Sequence, residues 1–167
     1  AFQALIINCL KQTPELMQCS PTSLWSALIN SVKLGLKPDG LLGEAYLLPF
    51  GGEVKLIVGY KGLIALAYRS GGVQAFDAQI VREGDEFDVS LGLNQDIKHE
   101  PSSDPQRHRA AITHVYAYCI RNNGATNINV MTWLEVERHR DTYAKGAKRS
   151  GSPWNTAPEQ MAKKTAL

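Results

Sequence analysis

Cysteine is scarce in this chain, with three in 167 residues. Cys9, Cys19 and Cys119 are odd in number and form no C-x-x-C pair. That argues against a disulfide scaffold and a zinc site, and it fits small core residues in a reducing cytoplasm better. No apolar run approaches the ~20 residues of a membrane-spanning helix, so no membrane association is expected. The G-x-x-x-x-G-K-[ST] loop is missing, and with it a cradle for a nucleoside triphosphate. His99, His108, His114 and His139 lack zinc-ligand spacing. No Ser/His/Asp or Cys/His set assembles, and there is no internal repeat or low-complexity tract. Neither a cofactor nor a catalytic residue is called for. Even net charge is nearly absent, at +2.

With 44% hydrophobic residues, a chain of this length can bury one substantial core, so a single domain over residues 1–167 is expected. Charge is unevenly distributed. Residues 1–100 hold eight Lys/Arg against eleven Asp/Glu, a net of −3, whereas residues 101–167 hold ten against five, a net of +5. A solvated helix face or an anionic partner would each produce such a skew. The chain begins without Met and stops in mid-pattern at Ala166-Leu167, so the reading expects a fragment, truncated at both ends.

Residues 2–10 have the pattern of an amphipathic helix. Ser20-Pro21 supplies an N-cap and N1 pair for a helix through Trp25, Leu28, Ile29 and Val32, stopped by Gly35. Residues 44–50 and 53–59 read as strands joined by the Gly51-Gly52 turn. A helix over 60–69 follows, with Leu63, Ile64, Leu66 and Ala67 as its buried stripe and Gly71-Gly72 at its end. Strands are expected at 73–81, 86–91, 111–121 and 125–131, with 94–109 an exposed loop. Asp85, Glu86 and Asp88 form an acidic turn, read as solvated rather than metal-binding. Thr132-x-x-Glu135 and Thr156-x-x-Glu159 are capping boxes for two further helices, separated by a Lys-, Gly- and Ser-rich loop over 143–157. The sum is α+β: a mainly antiparallel sheet of about five strands with helices on one side and at both ends.

Three constellations carry chemistry. Gly59-Tyr60-Lys61-Gly62 sits at a strand-to-helix junction, where backbone N–H groups, a lysine and an aromatic ring suit a phosphate and a stacked base. Arg69, roughly two turns beyond Lys61, can share its helix face. The alternative is an ordinary strand–helix connection. Tyr143, Lys145, Lys148, Arg149 and Trp154, extended by Lys163 and Lys164, combine cations, flexible glycines and aromatics. A sequence-independent binder of single strands needs that combination. The alternative is a solvated loop with Trp154 in the core. Finally, Pro38-Asp39 with Glu53-Val54-Lys55 matches the PD…(D/E)xK pattern of Mg-dependent nucleases, in which two carboxylates hold the metal and the lysine assists the attacking water. Asp39 and Glu53 both occupy turns, where acidic residues also occur for solubility.

Five blocks in order resemble the RecT family of phage and prophage single-strand annealing recombinases. They are Leu34-Gly-Leu-Lys-Pro-Asp-Gly40, Gly43-Glu-Ala-Tyr-Leu-Leu-Pro49, Gly59-Tyr-Lys-Gly-Leu63, Val81-Arg-Glu-Gly-Asp-Glu-Phe87, and Pro153-Trp154 through Met161-Ala-Lys-Lys-Thr-Ala166. The resemblance implies ATP-independent binding of single-stranded DNA and nascent duplex, and annealing of complementary strands in homologous recombination. It also implies ring or helical-filament homo-oligomers with the DNA in a long basic groove, and a core fold like that of the lambda Red beta and Rad-type annealing proteins. Cooperation with a partner exonuclease and the host single-strand binding protein, in the bacterial cytoplasm, follows from the same likeness. The expected backbone-binding cations are Lys61, Arg69, Lys145, Lys148, Arg149, Lys163 and Lys164, with Tyr60 and Trp154 as stacking residues.

Overall fold

The computed structural model describes residues 2–38, 40–149 and 151–167. The chain divides into two compact units, Ala1–Arg69 and Ser70–Leu167.

The first unit opens with helix α1 (Phe2–Gln12), a 3-10 turn over Pro14–Gln18 and helix α2 (Pro21–Leu34). Pro21 occupies the first turn of α2, where its missing N–H costs nothing. The Ser20 hydroxyl makes no cap bond; instead the Ser20 N–H donates to Gly52 O at 2.9 Å, pinning the helix start to the turn of the following hairpin. Ser23 Oγ accepts the Val54 N–H at 2.9 Å, a second tie between helix and hairpin. Gly35 ends α2 at φ 59, a left-handed conformation that glycine adopts without a Cβ penalty.

Strands β1 (Ala45–Phe50) and β2 (Glu53–Val58) pair antiparallel, with Phe50 opposite Glu53 across the Gly51-Gly52 turn. Both turn glycines have positive φ, 58 and 78, as a two-residue hairpin that matches strand twist requires. The core joins Leu47 and Val54 to Cys9, Leu16, Cys19, Ala27 and Leu28. Of the three cysteines expected as small core residues, Cys9 and Cys19 are buried here, whereas Cys119 of the second unit is half-buried. Helix α3 (Tyr60–Arg69) closes the unit with the predicted bounds. Its stripe differs: Leu63, Ile64, Leu66 and Ala67 are half-buried, and Gly62 is the buried residue of this helix.

In the second unit β3 (Val73–Arg82), β6 (Ile112–Arg121) and β7 (Thr126–Thr132) form one antiparallel sheet in the order β3-β6-β7. Between them in sequence, β4 (Glu86–Ser90) and β5 (Asp96–Glu100) form a separate hairpin. The period-two alternation of strands gives the larger sheet two chemistries. Ala78, Ile80, Val115 and Ala117 join a core with Val136 of α4 (Trp133–Tyr143) and with Ala162 and Ala166 of α6 (Pro158–Ala166). Alanines four apart let α6 lie close to the strands. Among the alternate β6 residues, Tyr116 stacks on Phe87 of the hairpin, with ring centroids 5.7 Å apart.

The α+β class expected from the sequence is what the structure has, with mixed helices and antiparallel sheets. The arrangement of strands is a finding. Among the described residues, seven strands lie in sheets of two, three and two rather than in one sheet of about five. The added strand, β5, falls in the stretch read as loop. Its alternating Ile97 and His99 face inward while Asp96, Lys98 and Glu100 stay exposed.

The Thr132 capping box forms in full, with Thr132 accepting from the Glu135 N–H and Glu135 accepting from the Thr132 N–H at 2.8 Å. The second box does not form. Helix α6 starts at Pro158 after Ala157, Thr156 Oγ1 donates to Ser152 O at 3.3 Å, and Glu159 pairs with Arg82. The short helix α5 (Pro153–Thr156) sits inside the loop, capped by Ser152 Oγ, which accepts the Trp154 N–H at 3.3 Å.

Candidate nucleic-acid interface

At the junction between β2 and α3, the two glycines of the Gly-x-x-Gly pattern serve the chain's own backbone. A Cβ on Gly59 would strike the Gly43 carbonyl oxygen, and one on Gly62 would strike that of Glu44. The Gly59 N–H donates to Glu44 O at 2.8 Å. The glycines therefore allow the segment entering β1 to pass against the start of α3, as in an ordinary strand–helix connection. Lys61 is exposed and Tyr60 half-buried. Arg69 is exposed too, but its Nη1 donates to Leu34 O at 2.9 Å, placing a cation on the last turn of α2 where the helix dipole is negative.

Asp39 lies outside the described residues, so half of the nuclease pattern has no geometry. Glu53 is exposed and paired with Lys55 at 2.5 Å. The Lys55 ammonium holds that carboxyl below its usual range, chiefly through this hydrogen bond. The two side chains neutralise one another two residues apart on a strand. Among the described residues no group of three His, Cys, Asp or Glu is placed to hold a metal ion. Nothing here supports the nuclease reading.

The later cluster lies wholly in the second unit. Helix α4 ends at Tyr143, and Asn155 then pins the loop that follows: its Nδ2 donates to Ala147 O at 3.0 Å and to Arg149 O at 2.7 Å. Ala147 is buried beneath. Lys145, Lys148 and Arg149 stand exposed on this anchored loop. Nearby, Asp141 is held below the usual carboxylate range mainly by Arg140, which donates to it at 2.8 Å, with Lys148 adding to the effect. Trp154 is half-buried against the core, so one side of its ring is structural, as the core reading allowed.

The two adjacent lysines of α6 part company. Lys164 lines a cleft of about 240 Å³ with His139, Tyr143, Trp154 and Met161. Lys163 lines a different cleft, of about 340 Å³, with Arg82, His99, Arg107, Tyr116 and Glu159. Successive helical residues are rotated by about 100°, which sends them to different surroundings. The structure thus brings Tyr143, Trp154 and Lys164 together and sets Lys163 apart, while Tyr60, Lys61 and Arg69 belong to the first unit.

Beside the second cleft lies a cluster that the sequence reading missed. Asp85 is not a solvated turn residue; its carboxylate is fully buried. It accepts from Arg107 Nε at 2.5 Å and Nη2 at 2.6 Å, from the Ser102 N–H at 2.9 Å and from the Arg82 N–H at 2.8 Å, and it bonds His99 Nε2 at 3.1 Å. These bonds, Arg107 foremost, hold the carboxyl far below its usual pKa, and Asp85 in turn raises that of Arg107. His99 Nδ1 lies 3.1 Å from the Tyr116 hydroxyl, whose own pKa burial pushes up. The buried Arg82 guanidinium donates to Ala110 O at 2.6 Å and pairs with Glu159. The only sequence signal was the grouping of Arg82 and Asp85 in one of the five blocks.

A family model described as the RecT family matches residues 1–167. Protein RecT of Escherichia coli (strain K12) is 40% identical over 166 residues, covering 95% of this chain and 60% of that protein. The uncharacterized protein YqaK of Bacillus subtilis (strain 168) is 29% identical over 166 residues, covering 99% of this chain and 56% of that protein. The chain therefore spans less than two thirds of the length of these curated relatives.

Proposed function

The chain belongs to the RecT family, and from that premise we propose that residues 1–167 form the single-stranded DNA binding and annealing core of a recombination protein. The observation that carries the proposal is a 40% identity running over nearly the whole chain. The mechanism is electrostatic and geometric. Exposed Lys61, Lys145, Lys148 and Arg149, with Lys163, hold sugar-phosphate backbone; Tyr60 and Trp154 offer ring faces, with Lys164 in the same cleft as Trp154; base stacking in the nascent duplex drives pairing. Neither ATP nor metal enters any step, and no bond is hydrolysed. Arg69, with one nitrogen held by Leu34, is the weakest contributor of the set. Homo-oligomerisation as a ring or helical filament, cooperation with an exonuclease and a host single-strand binding protein, and a place in the bacterial cytoplasm belong to the same proposal, as does the treatment of residues 1–167 as one annealing domain.

Annealing of complementary labelled oligonucleotides, followed by fluorescence without ATP or Mg²⁺ at two salt concentrations, tests it. The expected result is acceleration over the uncatalysed rate that weakens at the higher salt. An unchanged rate at both concentrations sinks the proposal.

A further inference from the structure

Resting on the DNA-binding reading, we propose that the cleft between α4 and α6 is a nucleobase subsite, in which one base of the bound strand lies against Tyr143 and Trp154 with its polar edge toward Lys164. The size of the cleft suits a single base. At about 240 Å³ it is below the ~300–1,000 Å³ of pockets that take drug-sized ligands. Its walls are of two kinds. Tyr143 is 72% exposed, and its ring lies 4.8 Å from that of His139, one helical turn earlier, so the two form an outward aromatic shelf. Trp154 lies on the same cleft but packs against the core formed by Val136, Ala162 and Ala166, which fixes its ring without ordering cost on binding. Aromatic faces of this sort accept any base, because every base has a π-face.

Lys164 distinguishes this cleft from a phosphate site. Among the described residues it makes no hydrogen bond or ion pair. It is half-buried, and burial pulls its ammonium below the usual lysine pKa. A partly desolvated donor with no partner is stabilised by an acceptor reaching into the cleft. Base carbonyl and ring-nitrogen atoms are such acceptors, whereas a phosphate would leave Tyr143 and Trp154 unused. Lys145, Lys148 and Arg149, on the exposed loop that joins α4 to α5, are left to hold the backbone. Six residues of one unit thereby separate base contact from phosphate contact.

The test compares two oligonucleotides of equal length and charge, one normal and one abasic throughout, on the wild-type chain and on Tyr143→Ala, Lys164→Met and Lys148→Ala. Tyr143→Ala and Lys164→Met should each weaken binding of the normal strand, the first by on the order of tenfold, while binding of the abasic strand stays within about twofold of wild type. Lys148→Ala should weaken both strands alike. Tyr143 is exposed, so its truncation leaves the fold intact, which an unchanged unfolding midpoint verifies. In an independent measurement on the unaltered protein, tryptophan fluorescence should be quenched by the normal strand and not by the abasic one. Equal losses on both strands, or no loss on either, overturn the subsite while leaving DNA binding in place. A wild-type chain that binds neither strand overturns the DNA-binding reading and the subsite with it.

Discussion

The first unit carries six Lys/Arg against four Asp/Glu, whereas the second carries twelve against twelve. The formally neutral unit nevertheless bears the cation-rich loop. The difference lies in where the carboxylates go. In the second unit Asp85 is buried under Arg107 and His99, Glu159 holds Arg82, and Glu137 and Asp141 flank Arg140. Asp85 and Glu159 are thereby taken up by structural partners, whereas the Lys98–Glu100 pair of this unit lies on the surface, and Lys145, Lys148 and Arg149 remain exposed. In the first unit the one ion pair among the described residues, Glu53 with Lys55, lies on the surface, and its main structural cation, Arg69, caps a helix with no acid at all. Net charge therefore says little about which unit meets a polyanion; the fate of each carboxylate says more. The skew between residues 1–100 and 101–167 cut across the unit boundary at Arg69 and so combined two unlike populations.

The sharpest way to break this comparison is Asp85→Ala. Removing one partner of a buried charge cluster leaves Arg107 and two N–H groups unsatisfied, and should cost about 3–5 kcal/mol in urea unfolding of the chain. A loss below about 1 kcal/mol would mean the cluster does not organise the unit. The same residue predicts a pH dependence. Its pKa is lower in the folded chain than in the unfolded one, so its contribution is complete above the unfolded value of about 3.9 and declines as pH falls below it. Wild-type stability should drop through that acid range, and Asp85→Ala should flatten the drop.

Next in size is Gly62→Ala in the first unit. Overpacking against the Glu44 carbonyl and Val58, at about 1–3 kcal/mol, is offset by roughly 1 kcal/mol of helix propensity. A net loss on unfolding assigns the Gly-x-x-Gly pattern to packing; a stable variant that has lost DNA affinity would restore its anion-binding reading. Thr132→Ala should cost about 1 kcal/mol through the lost capping box, measured the same way. Smallest of all is Glu53→Gln, expected to leave both the unfolding midpoint and annealing unchanged, since the exposed Glu53–Lys55 pair organises nothing beyond itself. A loss of Mg-dependent cleavage in that variant would revive the nuclease reading.

Local chemistry was legible in the sequence. The Gly51-Gly52 hairpin, the Gly35 stop, the span of α3 and the Thr132 box each depend on residues within a few positions of one another. What was hidden depends on distant partners. Asp85 reads as a surface acid until Arg107 and His99 come to it from 22 and 14 residues away. Glu159 reads as a capping residue until Arg82, 77 positions earlier, claims it, and Pro158 then sets the start of α6. Strand β5 was missed because its outward residues are all charged, although Ile97 and His99 alternate with them. The separation of Lys163 from Lys164 was available from helical geometry alone, had the two been assigned to a helix face rather than to a charge cluster.

The central claim is that the exposed cations between α4 and α5 hold the phosphate backbone of a single strand. Its most direct test is the salt dependence of oligonucleotide affinity for the wild-type chain and for Lys148→Ala with Arg149→Ala. Two lost phosphate contacts should reduce the slope of log affinity against log salt by roughly 1.4, with equal weakening for every base sequence. An unchanged slope, or a loss confined to one sequence, would contradict the account.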